Sequence, residues 1–244
     1  DKLCEKNLSK VIASACKEFS EYLNTYQQKI VMKREVLADK GIWTKKKKYI
    51  LNVWNKEGVQ YSHPKLKIMG IEVVRSSTPA VCRSKLKDAI KIIMNSTESE
   101  LVDFIANFKK EFKKLSVEDV AFPRTANNVS EFLVDGKIKK GTPIHIRGSL
   151  DYNRLIVERK LDRKYQRIFD GNKIKFCHLK EPNIVHSHVI AFPDILPKEL
   201  ELHSEVDYDK QFEMSFVRPL ETILSVIGWK TKKVATLNEL FCDE

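Results

Sequence analysis

Residues 76–115 carry two helix start signals and an apolar stripe too wide for one helix to bury alone, so they constrain the fold more than any other part of the chain. Ser76-Ser77-Thr78-Pro79 offers a hydroxyl N-cap with proline in the first helical turn, where its missing N–H costs nothing. Cys82, Leu86, Ala89, Ile90 and Ile93 then recur on one helical face. Asn95-Ser96-Thr97 ends that helix and caps a second over residues 98–115. In the second, Leu101, Phe104, Ile105, Phe108, Phe112 and Leu115 form the stripe, and Lys109, Lys110, Lys113 and Lys114 stay outside. Two antiparallel helices with a short connection follow, their stripe being core and not a cofactor box.

Upstream, Leu8, Val11, Ile12, Ala15, Phe19, Tyr22, Leu23 and Tyr26 fall at three- and four-residue steps, which predicts an amphipathic helix over 3–28. Residues 29–37 read as a strand, Asp39-Lys40-Gly41 as a polar turn, and 45–54 as a second strand, so a hairpin or meander is the simplest account. Asn55-Lys56-Glu57-Gly58 reads as a turn, Pro64 as an extended connection, and 66–74 as a strand-like segment broken by Gly70. From 121 to 229 the texture is of short strands and loops punctuated by prolines. A last helix is predicted over 207–227, with Tyr208, Phe212, Phe216, Leu220, Ile223 and Leu224 inward and a kink admitted at Pro219. The predicted class is α+β.

The run Lys45-Lys46-Lys47-Lys48 turns without a break into Tyr49-Ile50-Leu51-Asn52-Val53-Trp54. On a strand Lys47 and Tyr49 share a face, and an ammonium beside a phenol can meet a phosphate and a sugar or base edge together. A solvated basic loop or a targeting patch is the blander account. The whole chain of 244 residues has 44 Lys and Arg against 33 Asp and Glu, a net charge of +11, which makes a nucleic acid the leading partner. A membrane is the competitor, but no apolar run reaches the roughly 18–20 residues of a spanning helix. No signal peptide or lipidation signal is read, and the five cysteines are odd in number and never in a C-x-x-C pair, so reduced thiols in the cytoplasm are expected. A start at Asp1 and not Met points to a fragment or a processed piece.

A second mixture of cation, aromatic and amide groups lies at Ile144-His145-Ile146-Arg147-Gly148 and Tyr152-Asn153-Arg154, suited to a nucleic-acid backbone. The alternative is that Tyr152 is buried and Arg147 pairs with Asp151. Cys177, His178, His186 and His188 invite a zinc site, but no second pair at ligand spacing completes a tetrahedral set, so no metal is expected. No nucleophile pattern or Gly-rich phosphate loop stands out. Glu35, on a strand beside the lysine-led one, is a surface glutamate or a functional carboxylate. In the tail, Leu237, Leu240 and Phe241 fall on one side of a single helical turn, the pattern of a short helix for a partner's groove or for packing back on the chain itself.

Four stretches together resemble the C-terminal part of family B DNA polymerases of the large tailed-phage (myovirus) replicative kind. They are Lys46-Lys47-Lys48-Tyr49 with Leu51-Asn52-Val53-Trp54; Pro64-Lys65-Leu66-Lys67-Ile68-Met69-Gly70-Ile71-Glu72 with Ser76-Ser77-Thr78-Pro79; His145-Ile146-Arg147-Gly148 with Tyr152-Asn153-Arg154; and Asp207-Tyr208 with Pro219-Leu220. The resemblance implies the end of a palm domain over 1–72, a thumb over 73–229, and a tail over 230–244 that binds a sliding clamp through Leu237, Leu240 and Phe241. It implies that Lys47 and Tyr49 hold the primer end of the duplex, that Gly70 and Arg75 meet the primer backbone, and that Glu35 is an accessory palm carboxylate. Lys46, Lys48, His145, Arg147, Tyr152 and Arg154 complete the expected DNA contacts. Lys45 departs from the pattern, since a small residue usually stands there. The palm's two aspartate motifs, of the D-x-x-S-L-Y-P-S and Y-G-D-T-D-S types, are absent, and two-metal phosphoryl transfer cannot run without them. The implied role is that of a fragment or split subunit of a DNA-directed DNA polymerase, inactive alone. Its partners would be primer–template DNA and the N-terminal portion with exonuclease, fingers and the rest of the palm, and Mg2+ would be needed only in the complete enzyme. A stand-alone nucleic-acid-binding module is the alternative.

Overall fold

Helices and antiparallel strands build an α+β protein in the computed structural model, which describes residues 2–134 and 136–232. Its residues fall into two compact units, Asp1–Gly41 with Leu51–Lys67, and Ile42–Ile50 with Ile68–Glu244.

The first unit opens with α1 (Lys2–Tyr22). The helix stops short of the expected residue 28, for the chain turns off at Asn24, whose φ of +48° lies in the left-handed region. Cys16 and Ser20 are buried, whereas Leu8, Val11, Phe19 and Tyr22 of the predicted apolar face are exposed. The strand predicted over 29–37 and the turn at Asp39-Lys40-Gly41 are both displaced. The first strand is β1 (Val36–Lys45), and it runs straight through Asp39, Lys40 and Gly41. Cross-strand bonding overrides their turn preference: Asn52 Nδ2 donates to Asp39 Oδ1 at 2.8 Å, and a Trp54 hydrogen bond, ahead of the Asn52 bond, holds the Asp39 carboxyl below its usual range. Here β2 (Lys48–Lys56) and β3 (Val59–Met69) follow in a meander of order β1-β2-β3. The second turn is where the sequence places it. Glu57 and Gly58 have φ of +50° and +87°, the paired positive values of a tight two-residue hairpin. Pro64 sits inside β3, not in a connection, and β3 is an edge strand, where a missing ladder donor is tolerated.

In the second unit, α2 (Ala80–Asn95) and α3 (Glu98–Phe112) are the predicted helix pair. The first cap differs from expectation, because Pro79 itself occupies the cap position without a side-chain bond and Thr78 Oγ1 donates to Glu72 O at 3.1 Å. The second is as read, Thr97 accepting from Glu100 N–H. Short α4 (Val117–Val120) leads into β4 (Phe122–Thr125), and the small hairpin of β5 (Leu133–Val134) and β6 (Lys137–Ile138) precedes α5 (Ile144–Glu158). With β7 (Lys173–His178) and β8 (Val189–Phe192), β4 makes a sheet of order β4-β7-β8 on which α5 packs. Gly148 lets that helix close on the sheet: a Cβ there would lie 2.8 Å from Ala191 N. This helix replaces the strands and loops expected in the region.

The last helix, predicted over 207–227, comes in three pieces: α6 (Tyr208–Phe212), a π-turn (Glu213–Val217) and α7 (Arg218–Ile227). Pro219 cannot donate to the carbonyl of Ser215, and its ring would crowd that group, so the turn ahead of it widens. Phe108 meets Phe216 at 4.8 Å and Phe212 at 5.5 Å between ring centroids, which joins the predicted stripe to the last helix.

Candidate nucleic-acid interface

The lysine run forms the β1–β2 turn. Lys45 ends β1, Lys46 and Lys47 make the turn, and Lys48 opens β2. Lys47 therefore does not share a strand face with Tyr49, as the strand reading had it, and its φ of +63° is the strained conformation that lets two residues reverse the chain. Thr44 Oγ1 donates to Lys48 O at 3.3 Å and ties the turn from within. Lys45, Lys46 and Lys47 are exposed, Lys48 and Tyr49 are half-buried, and none of the four ammonium groups has an ion-pair partner among the described residues. Four uncompensated cations at one hairpin tip make a strong local positive potential.

Gly70 is brought against this turn. Its φ is +70°, and a Cβ built on it would lie 2.5 Å from Lys47 O and 3.1 Å from Lys48 Cγ. Both backbone conformation and space demand glycine. Ile71 is buried, one 3-10 turn (Glu72–Val74) follows, and Arg75 then pairs with Glu72 Oε1 at 3.1 Å with half its side chain exposed. Arg124, which the sequence reading did not single out, is anchored by bonds from Nη1 to Ser77 O at 3.1 Å and Pro123 O at 3.2 Å. Burial and then the charge of Arg75 push its guanidinium below its ordinary value. His145 is half-buried, and burial followed by the charge of Arg124 pushes its imidazole down. Arg75 and Arg124 are thus brought near enough for their charges to interact, a meeting that no spacing in the sequence announces.

The rest of the second motif is used differently. Tyr152 is buried at 1% exposure, its hydroxyl donating to Gln166 O at 3.4 Å, and burial pushes its phenol up to about 12. The buried alternative therefore holds for Tyr152, although the partner of Asp151 is Arg154 at 3.4 Å and not Arg147. Asn153 clasps Ile168 from both sides, accepting its N–H at 2.7 Å and donating to its carbonyl at 2.8 Å. Arg154 also reaches Glu158 at 3.4 Å and Val185 O at 3.3 Å. Arg147 alone is left without a partner among the described residues.

Glu35 lies one residue ahead of β1, exposed, and pairs with Lys67, whose hydrogen bond and charge hold its carboxyl below the usual range. Cys177 is fully buried with its thiol pushed up by desolvation, and His178 is buried with Nδ1 unpartnered and its imidazole pushed down to about 4. His188 pairs with Glu181. Among the described residues no three His, Cys, Asp or Glu side chains come together to hold a metal ion, and no helix is long and apolar enough to cross a membrane. Leu237, Leu240 and Phe241 lie outside the described residues.

No protein-family model matches the chain. The sequence is 35% identical over 255 aligned residues to the DNA-directed DNA polymerase of Escherichia phage RB69, an alignment covering 99% of this chain and 28% of that protein. It is 32% identical over 249 aligned residues to the DNA-directed DNA polymerase of Enterobacteria phage T4, covering 97% of the chain and 27% of that protein. The chain thus spans little more than a quarter of the length of these relatives. Over almost its full length the chain is therefore a relative of the C-terminal part of the phage DNA-directed DNA polymerases of the RB69 and T4 type.

Proposed function

We propose that this chain serves as the C-terminal palm-and-thumb portion of a family B replicative DNA polymerase, gripping primer–template duplex and placing the primer terminus for a nucleotidyl transfer catalysed elsewhere in the enzyme. Residues 1–72 complete the palm and 73–229 form the thumb. The observation that carries the reading is the hairpin tip of Lys45 to Lys48, four cations without a carboxylate partner among the described residues, abutted by Gly70 and followed by Arg75. Phosphate is the group such a tip recognises, and the contact carries no base preference. Tyr49 and Arg147 add further contacts. The chain lacks the palm aspartate motifs, so the Mg2+ of the complete enzyme is assigned here to the N-terminal portion, the implied partner. Through Leu237, Leu240 and Phe241 the tail tethers the enzyme to a sliding clamp, and the assembly works in the cytoplasm of a phage-infected host.

Titrating labelled primer–template with the purified chain across a salt series tests the reading. With about five phosphates neutralised, log K falls against log salt with a slope near −4.5. The chain alone incorporates no nucleotide, and extension returns when the N-terminal portion is supplied. Binding indifferent to salt, or incorporation by this chain alone, sinks the proposal. Deleting residues 236–244 is expected to abolish only clamp-stimulated long synthesis and to leave duplex binding and short extension intact; stimulation that survives the deletion rejects the tether.

A further inference from the structure

We propose that the apolar groove between α3 and the last helix is a docking site for this chain's own tail, in which residues 234–241 lie as a short helix until a sliding clamp takes them up. The hand-over to the clamp rests on the tether reading above, whereas the docking stands on the groove itself. Val102, Ile105 and Ala106 of α3 and Phe212, Met214 and Val217 of the last helix form the floor, and the groove has a volume of about 950 Å3.

Residue spacing sets the shape. Val102, Ile105, Ala106 and Lys109 line the groove at three- and four-residue steps along α3, and Lys210, Met214, Val217 and Glu221 do so along the last helix. Two such stripes side by side make a trough that accepts a third helix. Val102, Met214 and Val217 are only half-buried, so apolar surface is left for a partner to cover. The route of the chain names that partner. After α7 the chain turns back at Gly228, whose φ of +75° is left-handed, Lys230 N–H donates to Glu98 Oε1 at 2.6 Å, and Thr231 Oγ1 donates to Glu221 Oε1 at 3.4 Å. Thr231 and Lys232 thereby line the groove, so the residues after them start at its mouth. Extended chain from Lys232 reaches Leu237 within ~17 Å. As a helix, residues 234–241 are ~12 Å long, against ~16 Å from Lys210 to Glu221 at the same rise. Val234, Leu237, Leu240 and Phe241 repeat at helical spacing, one apolar face for one apolar trough. Charge agrees with this. On the rim Lys109 pairs with Asp209 at 2.8 Å and Arg218 with Glu213 at 3.1 Å, while Lys210 has no carboxylate partner among the described residues and the tail brings Glu239, Asp243 and Glu244. A tether this short gives an effective concentration on the order of millimolar, so weak docking is enough. Groove and clamp then compete for the same three side chains, Leu237, Leu240 and Phe241.

The test is hydrogen exchange of the full chain, read by mass spectrometry, with clamp affinity as the second measurement. Amides of 234–241 are expected to exchange roughly tenfold slower than an unstructured chain. The protection is lost in Leu237→Ser/Leu240→Ser/Phe241→Ser, which alters no described residue, and in Val102→Gln/Val217→Gln, which makes the floor polar at an unchanged charge. Unfolding of the groove variant is followed in urea, and if it is weakened the serine variant decides the docking. A tail docked in about nine molecules of ten binds the clamp at a tenth of its free affinity, so the groove variant is expected to bind a sliding clamp about tenfold tighter than wild type. Tail amides that exchange freely in the wild-type chain overturn the docking, as does protection that survives in the serine variant. Protection that grows with chain concentration places the tail in a second copy and overturns the intramolecular site. Equal clamp affinity of wild type and groove variant overturns the hand-over. Failure of both to bind a clamp overturns the tether reading instead, and the exchange result still decides the docking.

Discussion

The β1–β2 turn and helix α5 carry the same chemistry in sequence, a lysine or arginine near a tyrosine with amide or glycine neighbours, and the structure puts them to opposite uses. At the turn, Lys46 and Lys47 stand exposed with no partner among the described residues, and glycine is demanded by the turn's own carbonyl. On α5, Tyr152 is buried, Asn153 clasps a backbone segment, Arg154 is shared among Asp151, Glu158 and Val185, and Gly148 is demanded by the sheet beneath. The contrast teaches that residue type names the bonds a group can make, whereas burial and existing partners decide whether those bonds remain available to a ligand.

The largest expected effect breaks the comparison most directly. Tyr152→Ala removes a buried aromatic side chain and is expected to cost about 3–5 kcal/mol of stability, measured by urea unfolding. Duplex affinity per folded molecule should stay at the wild-type level. A variant of undiminished stability that has lost DNA binding would put Tyr152 back among the DNA-binding residues and erase the difference between the two regions.

Next in size is the turn. Lys46→Gln/Lys47→Gln removes two surface cations that have no partner among the described residues, so unfolding is expected to be unchanged. Each phosphate left without its cation weakens binding roughly tenfold near 0.1 M salt, so the pair costs roughly a hundredfold there and less as salt rises. A stability loss with unaltered affinity would show that the turn, like α5, serves the fold.

The sequence foretold the parts whose signals are local. Asn95-Ser96-Thr97 marks a helix end and the next helix start by itself, and the stripe from Leu101 to Phe112 repeats at helical spacing because one face alone is buried. Helix α5 was hidden for the opposite reason. Gly148, Ser149, Asp151 and Tyr152 are buried along with Ile146, Leu150, Leu155 and Ile156, so small and polar residues face inward and the apolar period is broken. The turn at Asp39-Lys40-Gly41 misled because its residues favour reversal locally, while Asn52 and Trp54 hold Asp39 in a paired strand. Arg124 could not be found at all, since its anchor at Ser77 lies 47 residues away in the chain. Gly70 was legible as a break in a strand, but the reason for it, the approach of the Lys47 carbonyl, exists only in the fold.

The smallest effect separates two arginines on one helix. Arg147 is half-buried with no partner among the described residues, and Arg154 is tied to Asp151 and Glu158, both at 3.4 Å. Since the Arg154 side chain is 47% exposed, solvent screens those pairs, and the Asp151 carboxylate, only 10% exposed, is the group that suffers when its partner goes. Arg154→Gln is therefore expected to cost about 1 kcal/mol in unfolding and to leave the salt slope of duplex binding unchanged. Arg147→Gln should leave unfolding alone, because no bond is lost, and make the slope shallower by about 0.9, one phosphate. Measuring both variants in both assays gives four numbers whose pattern is fixed by partnership alone. Equal behaviour of the two arginines, in either assay, would mean that a guanidinium's existing partners do not decide its availability on this surface.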